Sequence, residues 1–147
     1  MKIETIVKCT HCGKELNLEN IFSQQSDIYN ILKKIMLEDG DNNFIIIALN
    51  DDYFLQAAAY KETNELIFEA VSNKFLSPEK CLNEIQQNGL VNLGWKAPDS
   101  KHENYYFGVD FISDKSLIGA VELITKTARE IYGVNEINHK MLTINIE

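Results

Sequence analysis

The sequence predicts a two-layer α+β fold, an antiparallel sheet packed with helices. Two observations predict it. Three strand-like runs follow one another between residues 43 and 72, with connections short enough to favour hairpins. Separate segments around them carry apolar residues at helical spacing. The predicted order is (ββ)-α-β-β-β-α-β-α-β. The 147 residues suit a single domain, with residues 1–19 an appended hairpin and residues 20–147 the body.

At the front, Lys2 to Lys8 reads as a short strand with Ile3, Ile6 and Val7 apolar, and Glu15 to Glu19 pairs back through Leu16 and Leu18. Cys9-Thr10-His11-Cys12-Gly13 is the turn between them. In the first helix Ile28, Ile31, Leu32, Ile35 and Met36 line one face. Ser26 is its candidate N-cap, with Asn20 and Ser23 as caps for an earlier start, and Gly40 ends it.

The meander comes next. Phe44-Ile45-Ile46-Ile47 is a continuous apolar run within Asn43 to Leu49 and suits a central strand covered on both faces. Asn50-Asp51-Asp52 is a turn-forming cluster leading to a strand at Tyr53 to Tyr60. Lys61-Glu62-Thr63-Asn64 leads to another at Glu65 to Ser72, whose alternation is not clean enough to assign its faces.

Ser77-Pro78-Glu79 reads as a helix start, with an N-cap hydroxyl, proline at the first position and an acid in the first turn. Cys81, Leu82 and Ile85 give that helix an apolar side, and Gly89 ends it. Leu90, Leu93 and Trp95 follow as an irregular apolar turn, and Lys96 to Asn104 is a polar loop holding Pro98. Tyr105 to Ile112 is a strand with Tyr105, Phe107, Val109 and Phe111 on one face. Asp114 opens the last helix, which keeps its period through Leu117, Ile118, Val121, Ile124, Ala128 and Tyr132 and stops at Gly133. Met141 to Ile146 is the final strand.

This order lacks the βαβ alternation of a nucleotide-binding sheet, and there is no Gly-rich phosphate loop. The formal net charge is −8, and no Lys or Arg lies between Glu38 and Tyr60. An acidic surface repels phosphate backbones, so nucleic acid is not the expected partner. A basic protein segment is attracted instead. No apolar run approaches the roughly 20 residues of a membrane span, and the N-terminus has no h-region, so a soluble, cytoplasmic protein is expected. Three cysteines fit a compartment where thiols stay reduced.

Three short motifs carry a resemblance. They are Glu69-Ala70-Val71-Ser72-Asn73 at a strand exit, Leu93-Gly94-Trp95 followed by Pro98, and Asn104-Tyr105 leading into a strand. In order and spacing they resemble the type III secretion chaperone-like superfamily, in particular its YbjN-like and TY-Chap branches, from about Ile28 to Ile146. The resemblance implies a role in binding other proteins and a tendency to form a homodimer. It carries no catalytic residues to this chain. Apart from it, Gly94 permits φ > 0 after the helix, Trp95 fixes the loop to the core, and Asn73 tolerates a left-handed conformation. Residues 1–19 have no counterpart in the resemblance.

Cys9-x-x-Cys12 followed by Gly13 has the spacing of half a tetrahedral zinc site. A second CxxC is absent from the sequence. His102 and His139 are candidate further ligands, and a dimer sharing Cys9 and Cys12 from each chain is another way to complete the set. A reduced turn without metal and a redox pair are the other readings of the two thiols. Cys81 reads as a buried small hydrophobe. A nucleophile pair of Cys81 with His102 or His139 has no motif around it, and Asp51-Asp52 with Asp39 and Asp41 fits no calcium loop.

The expected function is therefore a non-catalytic protein-binding domain, with another protein as partner, no nucleic acid and no membrane. A zinc-binding regulator or sensor built on the Cys9–Cys12 hairpin is the alternative. Elemental analysis of protein purified without chelator separates them. Less than about 0.1 zinc per chain removes the metal reading, whereas about 0.5 per chain marks four thiolates shared by two chains.

Overall fold

The computed structural model describes residues 6–8, 15–110 and 114–146, with side chains from residue 25 onward. Its elements follow the predicted order. Strands β1 (Ile6–Lys8) and β2 (Glu15–Asn17) pair antiparallel, Ile6 opposite Asn17. Helix α1 (Leu18–Leu37) runs directly out of β2. Ser26 is thus inside the helix and is not its N-cap. The apolar stripe is where the periodicity put it: Ile28, Leu32, Ile35 and Met36 are buried. A single buried side chain satisfies the C-terminal end of α1. Asn43 Nδ2 donates to the carbonyls of Ile35 and Glu38 at 3.0 and 3.1 Å, two of the acceptors a helix end leaves open.

Strands β3 (Phe44–Ala48), β4 (Phe54–Tyr60) and β5 (Glu65–Ala70) form the meander. β6 (Tyr105–Asp110) adds beside β5, and β7 (Leu142–Asn145) returns to lie beside β3. The sheet order is β6-β5-β4-β3-β7 with every neighbouring pair antiparallel. The hairpin from β4 to β5 turns through Asn64 at φ 54°, a left-handed position that asparagine tolerates.

Burial alternates strictly along the central strands. Ile45 and Ile47, Leu55 and Ala57, and Leu66, Phe68 and Ala70 face the helices and are buried. This assigns the faces of β5, whose even-numbered residues point inward. It also corrects the reading of β3. Phe44 and Ile46 are only half-buried on the opposite face, so the apolar run is covered on one side. A continuous apolar run reads alike in sequence whether one or both faces are covered.

The second helix starts later than expected. Ser77-Pro78 opens only a 3₁₀ turn, Pro78–Lys80. Helix α2 (Glu84–Leu93) is capped by Asn83, which exchanges hydrogen bonds with Gln86 as a capping box. Cys81 therefore lies outside the helix and is exposed, and Ile85 points to solvent. Gly89 is internal and does not end α2. An added Cβ there would come within 2.7 Å of Ile131 Cδ1, so Gly89 lets α2 approach the segment after α3 closely. The helix ends at Gly94, φ 120°, as its permissive backbone allows. Asn73 does not adopt the left-handed conformation. Its side-chain amide bonds both backbone groups of Leu82, accepting at 2.6 Å and donating at 3.1 Å, which pins the 73–82 loop closed.

Helix α3 (Asp114–Glu130) buries Leu117, Ala120, Val121, Ile124, Thr127 and Ala128, while Ile118 is half exposed. Gly133 follows at φ 72°. Phe111 and Ile112 lie outside the described residues. Trp95 joins α3 to the sheet. Its ring meets Phe107 edge-on at 4.6 Å, and Phe107 stacks on Phe68 at 4.6 Å. Its Nε1–H donates to Thr127 Oγ1 at 2.9 Å, and that hydroxyl donates to the Leu123 carbonyl. Thr127→Val removes the only acceptor shown for a buried indole N–H. The expected cost is about 1–3 kcal/mol, measured by urea unfolding. A variant as stable as the parent would show that the indole bond contributes nothing.

Candidate interaction face

The alternation that builds the core also builds the opposite face. Residues paired across neighbouring strands point the same way, so the register defines rows. One row crosses the whole sheet: Asn145, Phe44, Ala58, Ile67 and Gly108. The next is Thr143, Ile46, Gln56, Glu69 and Tyr106, and a partial row on the other side is Tyr60, Glu65 and Asp110. Phe44, Ile46 and Ile67 are half-buried and take no part in the core that unites the sheet's inner face with α1 and α3. Among the described residues no helix packs on this face.

Its chemistry is apolar with acids set into it. Gln56 Nε2 donates to Glu69 across the strands at 2.5 Å. Glu65 lies directly opposite Asp110. At the β6 edge the loop after Trp95 forms a rim. Lys96 bridges to Tyr106 through both backbone groups, at 2.8 and 3.1 Å, and closes part of that edge. Asp99 gathers the rest of the loop. Its Oδ2 accepts from the Tyr106 hydroxyl at 2.6 Å, and its Oδ1 accepts from the Lys101 and His102 amides and meets His102 Nδ1 at 3.0 Å. The His102 ring stacks on Tyr106 at 3.6 Å. The Tyr106 bond, then the backbone bonds, hold the Asp99 carboxyl well below the usual range, and the same bond raises the Tyr106 hydroxyl.

Asp99 and His102 also line a cleft of about 510 Å³, with Ser72, Asn73, Pro98 and Tyr105 among others. The three motifs of the resemblance meet here and at Trp95. The Ser72 amide donates to Asn104 Oδ1 at 3.0 Å, and the Ser72 hydroxyl donates to the Glu103 carbonyl at 2.7 Å. These bonds tie the exit of β5 to the entry of β6.

The candidate residues from sequence fall elsewhere. Cys9, His11 and Cys12 lie outside the described residues. Cys81 Sγ faces the Leu76 carbonyl at 3.9 Å, His102 is held by Asp99, and His139 Nε2 meets Asp27 at 3.1 Å. No described contact joins Cys81 to either histidine, so the structure does not assemble the Cys–His pair. Among the described residues no three His, Cys, Asp or Glu side chains are grouped to hold a metal ion. Asp52 pairs with Lys80 at 3.7 Å, and Asn50 Oδ1 accepts from the amides of Asp52 and Tyr53, which makes the Asn50–Tyr53 segment a closed turn. Tyr105 points into the core and Tyr106 onto the open face.

No family model, curated protein or solved structure matches the chain. The chaperone-like resemblance rests on the three motifs.

Because Asp99 titrates lower in the folded chain, its contacts stabilise the fold above the ordinary carboxylate range. That contribution is lost as pH falls through the folded value. Followed by NMR, the Asp99 carboxyl carbon should turn over well below the ordinary midpoint of about 3.9, and Tyr106→Phe should move the midpoint upward. A parental midpoint at or above the ordinary value would show that the loop bonds do not form in solution.

Proposed function

We propose that this chain is a non-catalytic protein-binding domain, and that it binds through the open face of its five-stranded sheet. The observation that carries the reading is the row from Phe44 to Ile67, apolar side chains turned away from a core that is already complete. An antiparallel sheet with one solvated face ordinarily shows polar residues there. Phe44 and Ile46 on β3, and Ile67 across β4 from Phe44, break that rule while staying partly exposed. Protein binding is also what the chaperone-like resemblance implies. A cytoplasmic setting belongs to the same reading and suits the exposed thiol of Cys81. No described helix is long and apolar enough to cross a membrane.

A photo-crosslinking residue placed at Ile46 tests this in the native cell, with the same residue at Glu122 on α3 as the comparison. The expected result is one discrete adduct from Ile46 and none from Glu122, with the identified protein then binding the purified domain directly. Adducts from Glu122 alone would move the binding surface to the helical side.

A further inference from the structure

Resting on the reading of the open face as a binding surface, we infer that its occupant is an amphipathic helix of a partner protein, carrying Lys or Arg beside its apolar stripe. Three features of the face fix that chemistry.

The first is the backbone. β3, β4 and β5 each have a ladder partner on both sides, so their N–H and C=O groups are already engaged. A segment laid over them finds no backbone groups to bond and has to satisfy its own. A helix does so internally, and a helix on a sheet is the ordinary way to bury a sheet face.

The second is shape. The apolar row crosses five strands, about 19 Å from first to last at the usual spacing, which a helix of about 13 residues spans. Within it Ala58 and Gly108 are low points on either side of Ile67. Any side chain at Gly108 would crowd Ile67, since a Cβ there comes within 3.2 Å of its Cδ1. Beyond Ala58 the floor continues into a recess of about 530 Å³ that adds Asp41, Tyr60, Lys61 and Glu62 to its walls.

The third is charge. Glu65 and Asp110 face each other across β5 and β6, and Glu69 stands four residues along β5 on the same face, beyond Ile67. Like charges directly opposite destabilise a strand pair. None of the described ion pairs relieves them, and the three rows contain no Lys or Arg. Lys96 flanks the Tyr106 end of the rows, its Nζ 5.7 Å from the Tyr106 ring centroid, and Lys61 follows Tyr60 at the recess. A cation brought by the occupant would sit between Glu65 and Asp110 beside the Ile67 notch. A second copy of this chain would bring the same acids and a net charge of −8, so complementarity selects a different, basic partner.

Three synthetic amphipathic helices test this, identical in their apolar stripe and flanked by Lys, Gln or Glu. Each is titrated into the ¹⁵N-labelled full chain. The Lys peptide is expected to shift the amides of Ile67 and Gly108 and to bind at least about ten-fold tighter than the Gln peptide, with the margin shrinking at about 0.5 M salt. In the double variant Glu65→Gln, Asp110→Asn the margin should fall several-fold while binding of the Gln peptide is unchanged. That variant is expected to fold, with a melting temperature no lower than the parent's.

Equal binding of the Lys and Gln peptides at Ile67 and Gly108 would overturn the cation requirement and leave the face as a binding surface. The absence of shifts at the face with every peptide at about millimolar concentration, weaker than about −4 kcal/mol, would remove the face itself. Concentration-dependent shifts at Ile67 and Gly108 without any peptide would assign the face to a second copy and overturn the basic partner.

Discussion

Five antiparallel strands oblige alternate side chains to opposite faces, and in this chain the described helices cover one face only. The rest of the structure follows from that constraint. The inward set, Ile45, Ile47, Leu55, Leu66 and Phe68, meets the stripes of α1 and α3 in one continuous core. Trp95 closes it, because its ring packs on Phe107 while its N–H is tied to Thr127 of α3. A large ring with its one polar atom satisfied fixes helix and sheet together without an unpaired buried donor. With the core complete on one side, whatever stands at Phe44, Ile46 and Ile67 contributes little to the monomer's interior. Their apolar character needs another cause.

The order of elements was legible in the sequence because it rests on local periodicity. The 3.6-residue stripe of Ile28 to Met36 and the short connections around Asp51 and Glu62 survive in the structure unchanged. The helix stop at Gly133 and the permissive turn at Gly94 were legible too, since a positive φ selects glycine, but the second helix runs on through Gly89, where the sequence had it end. What was not legible depends on contacts distant in sequence. Asn73 looked like a residue chosen for its backbone freedom and is used for its side-chain amide, on Leu82. Asn43 looked like a strand residue and caps the preceding helix. Ser77-Pro78 carries every local sign of a helix start, yet only a single 3₁₀ turn forms before Asn83 caps α2. The Asn73 clasp on Leu82 holds the chain between them in a closed loop.

The open face was hidden for the same reason. Phe44, Ala58, Ile67 and Gly108 form a row only through the register of three strand pairs. The opposition of Glu65 and Asp110 needs the knowledge that β6 adds beside β5 and not beside β3. In sequence, the stretch from Glu38 to Tyr60 stands out because it holds acids and no Lys or Arg. In the fold that stretch disperses. Asp52 pairs with Lys80, Asn50 closes its turn, and Asp41 stands at the recess beside Ala58.

The acids that matter to the open face come from β5 and β6, and their placement follows from solving two problems at once. A half-buried apolar row on a sheet invites association with other apolar surfaces, including another copy of itself. Carboxylates flanking the row at Glu65, Glu69 and Asp110 make such encounters costly, since an apolar partner would have to strip their remaining water without offering an opposite charge. A partner that carries its own cations escapes that cost. On the proposed reading, the same three side chains disfavour an apolar occupant and favour a basic one. The repulsion between Glu65 and Asp110 is a modest local expense in the free domain, and it is the kind of broken stability rule that a fold tolerates where a surface is kept for binding.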